Sequence, residues 1–183
     1  MSLKICFLAP SGYGKSTAID ILKKYWSLCN IKIAEPLYEL QRDFYNKINT
    51  PLKEEQDGEL LQFYGLKIRK ENPTYLLDEF EKKLKLSDDN YDFVTNDDCR
   101  PYDYDKLKHL NFIFIKINGY KRLRYDHTAI DQNLKIEWQS EIPYDYEINN
   151  LSDINMYEKM LINLIKEVKN DHKVLYYTNP KNL

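Results

Sequence analysis

A short loop with two glycines, set between an apolar segment and a helical segment, constrains the fold of this chain most. Residues 9–16 read A-P-S-G-Y-G-K-S, close to the pattern G-x-x-x-x-G-K-[S/T], in which backbone N–H groups surround phosphate oxygens. The apolar segment 3–8 predicts a buried strand, and the spacing of Ala18 and Leu22 predicts a helix over 15–28. A strand, a phosphate-binding loop and a helix in this order predict a nucleotide-binding α/β domain.

The residues of the loop match the chemistry of a nucleoside triphosphate site. Gly12 and Gly14 let the backbone curl so that successive N–H groups point inward at phosphate oxygens, and the start of the helix adds its positive dipole end. In the matching pattern the lysine reaches the β- and γ-phosphates and the hydroxyl binds Mg²⁺. We therefore predict an ATP site formed by Ser11, Gly12, Tyr13, Gly14, Lys15, Ser16 and Thr17, with Ser16 also as a Mg²⁺ ligand.

One position departs from the pattern, because Ala9 stands where the first glycine is expected. A β-carbon is tolerated there if the residue keeps an extended conformation. Two alternatives remain open at this point. The segment is either an accidental glycine turn or a degenerate loop that binds a nucleotide without catalysis.

Strand-like and helix-like segments alternate along the rest of the chain. Further strands are predicted at 31–34, 91–94, 112–117 and 144–148, and further helices at 37–48, 59–64, from Pro73 onward, at 104–109 and at 151–169. Alternation of this kind predicts a parallel sheet built by right-handed crossovers. We expect one α/β domain over 1–183, with a five-stranded parallel sheet and helices on both faces.

Composition excludes several functional classes. The 183 residues include 27 Lys and Arg against 29 Asp and Glu, a net charge of −2, which is too low for wrapping a nucleic-acid polymer. The longest apolar runs fall short of the roughly 18 residues that cross a bilayer. The three cysteines are far apart and lack metal-ligand spacing, as expected for reduced thiols. We expect a cytoplasmic protein without a membrane or nucleic-acid partner, and the sequence is compatible with a homodimer.

Five later segments carry a resemblance to a known family. They read IAEPLYEL (33–40), GELLQFYGLKIRKENPTYLLDEF (58–80), FVTNDDCRPYDYDKLKHLNFIFIKI (93–117), RYDHTAID (124–131) and YEINNLSDINMYEKMLINLI (146–165). In this order, and with the loop at 9–16, they resemble the bacteriophage-type deoxynucleoside monophosphate kinases, which are P-loop NTPases. The resemblance implies an acceptor-binding region at about 35–86 and a small lid at about 119–138.

The resemblance also implies roles for single residues. Asp98 lies just past the strand at 91–94, at the sheet edge where open α/β sheets bind ligands. It is expected to position Mg²⁺ or the acceptor, and Asp97 is the alternative carboxylate for this role. The lid is expected to bring Arg122 and Arg124 to the transferred phosphoryl group. The remaining predicted ligand contacts are Glu35, Gln62, Arg69, Arg100 and His127 for the acceptor, and Asn149 for the adenine of ATP.

These expectations lead to one principal functional hypothesis and two alternatives. The principal one is a kinase that transfers the γ-phosphoryl group of ATP, with Mg²⁺, to a (deoxy)nucleoside 5′-monophosphate. A kinase of another small acceptor with a hydroxyl group would need a carboxylate as base, and Asp98 or Glu35 could then serve. The second alternative is an ATP-binding regulatory module without turnover.

Overall fold

Five parallel strands form the centre of the protein. The computed structural model describes residues 2–52, 56–87, 90–119 and 142–177, with side chains up to residue 172. The strands follow one another in the sheet in the order β2-β3-β1-β4-β5. Their bounds are β1 (Leu3–Leu8), β2 (Leu28–Asn30), β3 (Phe93–Asn96), β4 (Ile113–Gly119) and β5 (Tyr146–Asn150).

Helices connect the strands and cover both faces of the sheet. Their bounds are α1 (Lys15–Lys23), α2 (Glu35–Lys47), α3 (Gly58–Glu71), α4 (Tyr75–Ser87), α5 (Tyr104–His109) and α6 (Ile154–Tyr177), with a 3₁₀ turn at Pro101–Asp103 before α5. In the described part of the chain, no helix is both long and apolar enough to cross a bilayer.

The central strand β1 divides the core into two halves. Successive side chains of a strand point to opposite faces of its sheet, so Ile5 and Phe7 pack with α1 and α6. Cys6 and Leu8 face the other way and pack with α4 and α5. All four side chains are buried. Because β1 is paired on both sides, by β3 and by β4, the loop that follows it leaves the sheet at the centre of its carboxyl edge.

The predicted five-stranded parallel sheet with helices on both faces is confirmed, and the bounds of β1 and α5 are those expected. The position of β2 was wrong, since this strand ends at Asn30 instead of spanning 31–34. The backbone N–H groups of Ile33 and Ala34 bond to the carboxylate of Asp98 instead of a neighbouring strand. Helix α2 then begins at Glu35, with a proline in its first turn, where the missing N–H costs no hydrogen bond.

Candidate active site

The loop between β1 and α1 has the backbone conformation that a phosphate cradle requires. Gly12 and Gly14 have φ angles of 81° and 101°, in the left-handed region that side chains rarely adopt. Gly14 is the N-cap of α1 and accepts the hydrogen bond of 2.9 Å from the N–H of Ala18. Among the described residues, the only non-glycine residues with positive φ are Asn49 and Asn111. Ala9 therefore replaces the first glycine of the pattern without strain.

Lys15 is folded into the concave side of this loop. Its Nζ donates hydrogen bonds of 2.6 Å to the backbone oxygen of Ala9 and 3.1 Å to that of Pro10. Burial lowers the pKa of Lys15 to about 8; the positive charge of Arg100 also lowers it, and the nearby charge of Asp97 opposes the shift. The Lys15 ammonium therefore lies against the backbone of the phosphate-binding loop.

The start of α1 completes an anion-binding surface. The first N–H groups of a helix have no acceptor within the helix, and the helix dipole makes this end positive. Ser11, Gly12 and Ser16 are exposed, so the loop is open to a ligand from solvent. A cradle of this kind fits the triphosphate of a nucleotide.

Two adjacent carboxylates follow β3, at the same edge of the sheet, and they have different surroundings. Asp98 accepts hydrogen bonds from the N–H of Ile33 at 3.0 Å, from the N–H of Ala34 at 2.8 Å, and from the amide of Asn96 at 2.7 Å. Burial raises the pKa of Asp98, and these hydrogen bonds oppose the shift. Both oxygens of Asp98 therefore hold the start of α2 against the end of β3.

Asp97 is the carboxylate that acts most strongly on the loop lysine. It is 8% exposed, and its Oδ1 accepts a hydrogen bond of 3.3 Å from the side chain of Asn30. Of the charges that raise the pKa of Lys15, that of Asp97 is the largest and that of Asp98 is smaller. The role predicted for Asp98, with Asp97 as its alternative, stays a prediction.

The residues of the site fit a Mg²⁺ ion held mainly by nucleotide phosphates. No group of three or more His, Cys, Asp or Glu residues suitable for a metal occurs in the described ranges. Mg²⁺ commonly keeps several waters and takes only one or two protein ligands beside substrate phosphates. The Ser16 hydroxyl at the start of α1 and the Asp97 carboxylate supply donors of the right kind for that mode of binding.

Two asparagines hold the site together, and one of them, Asn96, was not singled out in the sequence. The Asn96 side chain is fully buried and accepts from the N–H groups of Asp98 and Cys99 at 3.3 and 3.0 Å, which fixes the turn after β3. Asn150 is 3% exposed and bonds to the backbone of Tyr13 in the loop. Both asparagines lie at the last position of a strand, a signal that sequence inspection could have used.

The predicted acceptor residue Arg69 lies in a cluster with one aromatic and one acidic neighbour. Its guanidinium is 3.3 Å from Oδ1 of Asp103 and 4.0 Å from the centre of the Tyr102 ring. The same carboxylate accepts a hydrogen bond of 3.1 Å from the N–H of Arg100. Asp103 is fully buried, and burial raises its pKa to about 6 although the charge of Arg69 opposes the shift. The cluster therefore brings the predicted residues Arg69 and Arg100 together.

An open cavity of about 460 Å³ lies beside the two carboxylates. The residues that line it are Asn30, Lys32, Glu35, Tyr38, Gln41, Arg42, Leu52 and Gln56. Glu35 is the predicted acceptor residue that the structure places here, and it also forms an ion pair of 3.2 Å with Lys83. The predicted residues Gln62 and Asn149 are exposed, on α3 and β5 respectively, and neither lines the cavity.

The predicted lid lies almost wholly outside the described residues. Arg122, Arg124 and His127 fall in the gap between 119 and 142. Their roles stay predictions.

Comparison with solved structures identifies the fold. The chain is similar to a dephospho-CoA kinase from Campylobacter jejuni, with a TM-score of 0.54 and 14% identity, over 94% of this chain and 100% of that one. It is similar to a shikimate kinase from Aquifex aeolicus, with a TM-score of 0.50 and 10% identity, over 93% of this chain and 98% of that one. This chain has a P-loop kinase fold. No protein-family model and no curated protein matches its sequence.

Proposed function

We propose that this P-loop protein is an ATP-dependent phosphotransferase whose acceptor is a (deoxy)nucleoside 5′-monophosphate. One observation carries the proposal: the Lys15 ammonium lies inside the loop, bonded to the oxygens of Ala9 and Pro10, at the start of α1. The similarity in fold to two kinases, named for dephospho-CoA and shikimate, supports phosphoryl transfer to a small molecule. The resemblance of 33–40 and 58–80 to monophosphate kinases supports the nucleotide acceptor.

In this proposal the protein acts by positioning and by electrostatic stabilisation. Lys15 and the N–H groups at the start of α1 meet the negative charge of the β- and γ-phosphates. Mg²⁺, held by the phosphates, the Ser16 hydroxyl and the Asp97 carboxylate, neutralises further charge when bound. The phosphate of a monophosphate acceptor is already a nucleophile, so alignment of the two phosphates contributes more than proton transfer.

The surroundings of the cavity suit an anionic acceptor. Among the described residues that line it, Lys32 and Arg42 are basic and Glu35 is acidic. Lys32 is half-buried beside the Tyr38 ring, 5.7 Å from its centre. The basic side chains of this described lining attract the phosphate of a monophosphate and raise its local concentration.

A second candidate function is a kinase of a small molecule that accepts the phosphoryl group on a hydroxyl. The buried Asp97 favours it, because a hydroxyl acceptor needs a carboxylate to take its proton. Under this reading the Asp97 carboxylate accepts the proton as the hydroxyl oxygen attacks the γ-phosphorus and ADP leaves. The two candidates differ in the acceptor that supports turnover.

A coupled ADP-release assay over a panel of nucleoside monophosphates, nucleosides and small hydroxyl metabolites tests both. We expect turnover with at least one monophosphate, and Lys15→Ala should lower it by two or more orders of magnitude. Lys70 is an exposed lysine of α3, so Lys70→Ala is the control for the loss of a positive charge. Turnover with hydroxyl acceptors alone would establish the second candidate. ATP binding without any acceptor-dependent ADP would instead indicate a regulatory module.

A further inference from the structure

We propose that Gln41 selects the base of the acceptor, by presenting a single amide N–H₂ donor to the cavity that it lines. The inference rests on the proposed function and names the acceptor class within it. A donor held in this way favours a base with an oxo group at the recognised position over one with an exocyclic amino group. The predicted substrates are therefore monophosphates of the oxo-bearing kind, such as dUMP or dTMP, in preference to dCMP.

The orientation of the Gln41 amide follows from its one hydrogen bond. The side chain lies on α2 and is 2% exposed, and the N–H of Asp57 donates to its Oε1 at 2.7 Å. An N–H group needs an acceptor, so the oxygen of the amide must face Asp57. Within the described residues this is the only hydrogen bond of the Gln41 side chain, which leaves its Nε2 to the cavity that Gln41 lines.

Asp57 is itself fixed, so it holds the Gln41 amide in one orientation. Asp57 is the N-cap of α3 and accepts from the N–H of Leu60 at 3.0 Å. Its other carboxylate oxygen accepts from the hydroxyl of Tyr45 at 2.7 Å. The fixed Gln41 amide therefore offers its Nε2 group to a ligand oxygen in the cavity.

Gln41 lies along α2 from the start of the cavity lining. Asn30, which also lines the cavity, bonds to Asp97, whose charge raises the pKa of Lys15. Gln41 lies six residues after the start of α2 at Glu35, or about 9 Å along the helix axis. This separation is on the scale of the distance between the 5′-phosphate and the base of a nucleotide. In this proposal the phosphate lies near Lys32, which precedes α2, and the base lies near Gln41.

The nature of the donor determines which base is accepted. An N–H₂ group donates a hydrogen bond to a carbonyl oxygen but cannot pair with another amino group. A site discriminates strongly against a substrate that leaves one of its buried polar groups unpaired. The bases of dUMP and dCMP differ at one edge in this respect, with an oxo group in the first and an amino group in the second. The change in preference between these two nucleotides when Gln41 is replaced therefore reports the contribution of Gln41.

The variant Gln41→Glu tests the inference, because it exchanges the donor for an acceptor and keeps an oxygen for the N–H of Asp57. We measure kcat/KM for dUMP and dCMP, and calorimetric affinities for both nucleotides in the presence of ADP. We expect the wild type to prefer dUMP by about tenfold or more, and Gln41→Glu to reverse that preference while the KM for ATP is unchanged. Asn46 is an exposed amide on the same helix, so Asn46→Asp is the control for the added negative charge.

The two readouts separate failure of this inference from failure of the proposed function. Turnover of a monophosphate with the same dUMP-to-dCMP ratio in wild type and Gln41→Glu overturns the role of Gln41 and leaves the kinase intact. Absence of turnover, with binding that prefers dUMP and reverses in the variant, supports the role of Gln41 and overturns the kinase. Absence of binding by the wild type to either nucleotide overturns the role of Gln41, and the panel of monophosphates then decides the proposed function.

Discussion

The side-chain Nδ2 of Asn150 donates a hydrogen bond of 3.0 Å to the backbone oxygen of Tyr13, across 137 residues of sequence. The bond joins the end of β5 to the phosphate-binding loop. A β-carbon on Gly14 would lie 2.3 Å from that same Nδ2, and one on Gly119 would lie 3.1 Å from the Asn150 backbone oxygen. Asn150 therefore packs between two glycines, and it fixes the loop conformation in which Lys15 is held.

Replacing Asn150 by alanine should loosen the loop. The variant leaves the oxygen of Tyr13 without its donor, and we expect a loss of about 1–3 kcal/mol in the free energy of unfolding together with a raised KM for ATP. Urea unfolding and ATP kinetics measure the two effects, with Asn46→Ala as an exposed control. An Asn150→Ala protein with wild-type stability and KM would show that the loop holds its shape without this bond.

Replacing Gly14 by alanine should be more damaging, for two separable reasons. The residue has a φ of 101°, which strains any side chain by about 1–2 kcal/mol, and its β-carbon would collide with the Asn150 amide. The double variant Gly14→Ala/Asn150→Ala removes the collision and keeps the strain. We expect unfolding experiments to show that the second substitution costs less in the Gly14→Ala background than alone. Additive losses would contradict the packing described here.

Local sequence patterns were sufficient to predict the α/β architecture and the phosphate-binding loop. The apolar run 3–8 and the A-P-S-G-Y-G-K-S segment have strong local patterns, and both take the conformation expected of them. The second strand was misplaced because Ile31 and Ile33 are buried like strand residues, although the N–H groups of Ile33 and Ala34 bond to a side chain instead of a neighbouring strand. No local pattern reports that the acceptor for Ile33 and Ala34 is Asp98, 64 or more residues away.

The surroundings of the site residues depend on long-range contacts and were not predictable in the same way. Asp97 and Asp98 are adjacent and chemically identical, and only the fold distinguishes the one beside Lys15 from the one that holds α2. Gln41 lies in no motif that the sequence analysis used. Its orientation depends on a hydrogen bond from the N–H of Asp57, later in the chain. Residues of this kind are found from hydrogen-bond partners and burial, which a single sequence does not contain.

The two carboxylates should respond differently to the same substitution. Asp97→Asn removes the charge beside Lys15 without removing a backbone hydrogen bond, so we expect a loss of turnover of two or more orders of magnitude with little change in melting temperature. Asp98→Asn replaces one of the two oxygens that hold Ile33 and Ala34 and should lower the melting temperature. The reverse pattern would restore the catalytic role to Asp98.

Stability should depend on pH through Asp103. Its pKa is raised from 3.8 to about 6 by burial, so between about pH 4 and 6 the folded state holds a proton that the unfolded state has released. The free energy of unfolding then falls as pH rises through this window. Urea unfolding at several pH values should show this slope in the wild type and a shallower slope in Asp103→Asn, where the raised pKa of the buried Asp98 still contributes. Asp105 is an exposed neighbour, so Asp105→Asn should keep the wild-type slope. An unchanged slope in Asp103→Asn would assign the proton elsewhere.

ATP binding should take up a proton above neutral pH, because burial lowers the pKa of Lys15 to about 8. The phosphates of bound ATP favour the charged ammonium and raise that pKa, so at pH 9 the complex holds a proton that the free protein lacks. By linkage, the affinity for ATP falls as pH rises above 8. Calorimetric titrations at pH 9, in two buffers with different ionisation enthalpies, measure the number of protons taken up. Lys15→Met should bind ATP weakly and without proton uptake, whereas wild-type binding at pH 9 without uptake would mean that Lys15 does not meet the phosphates.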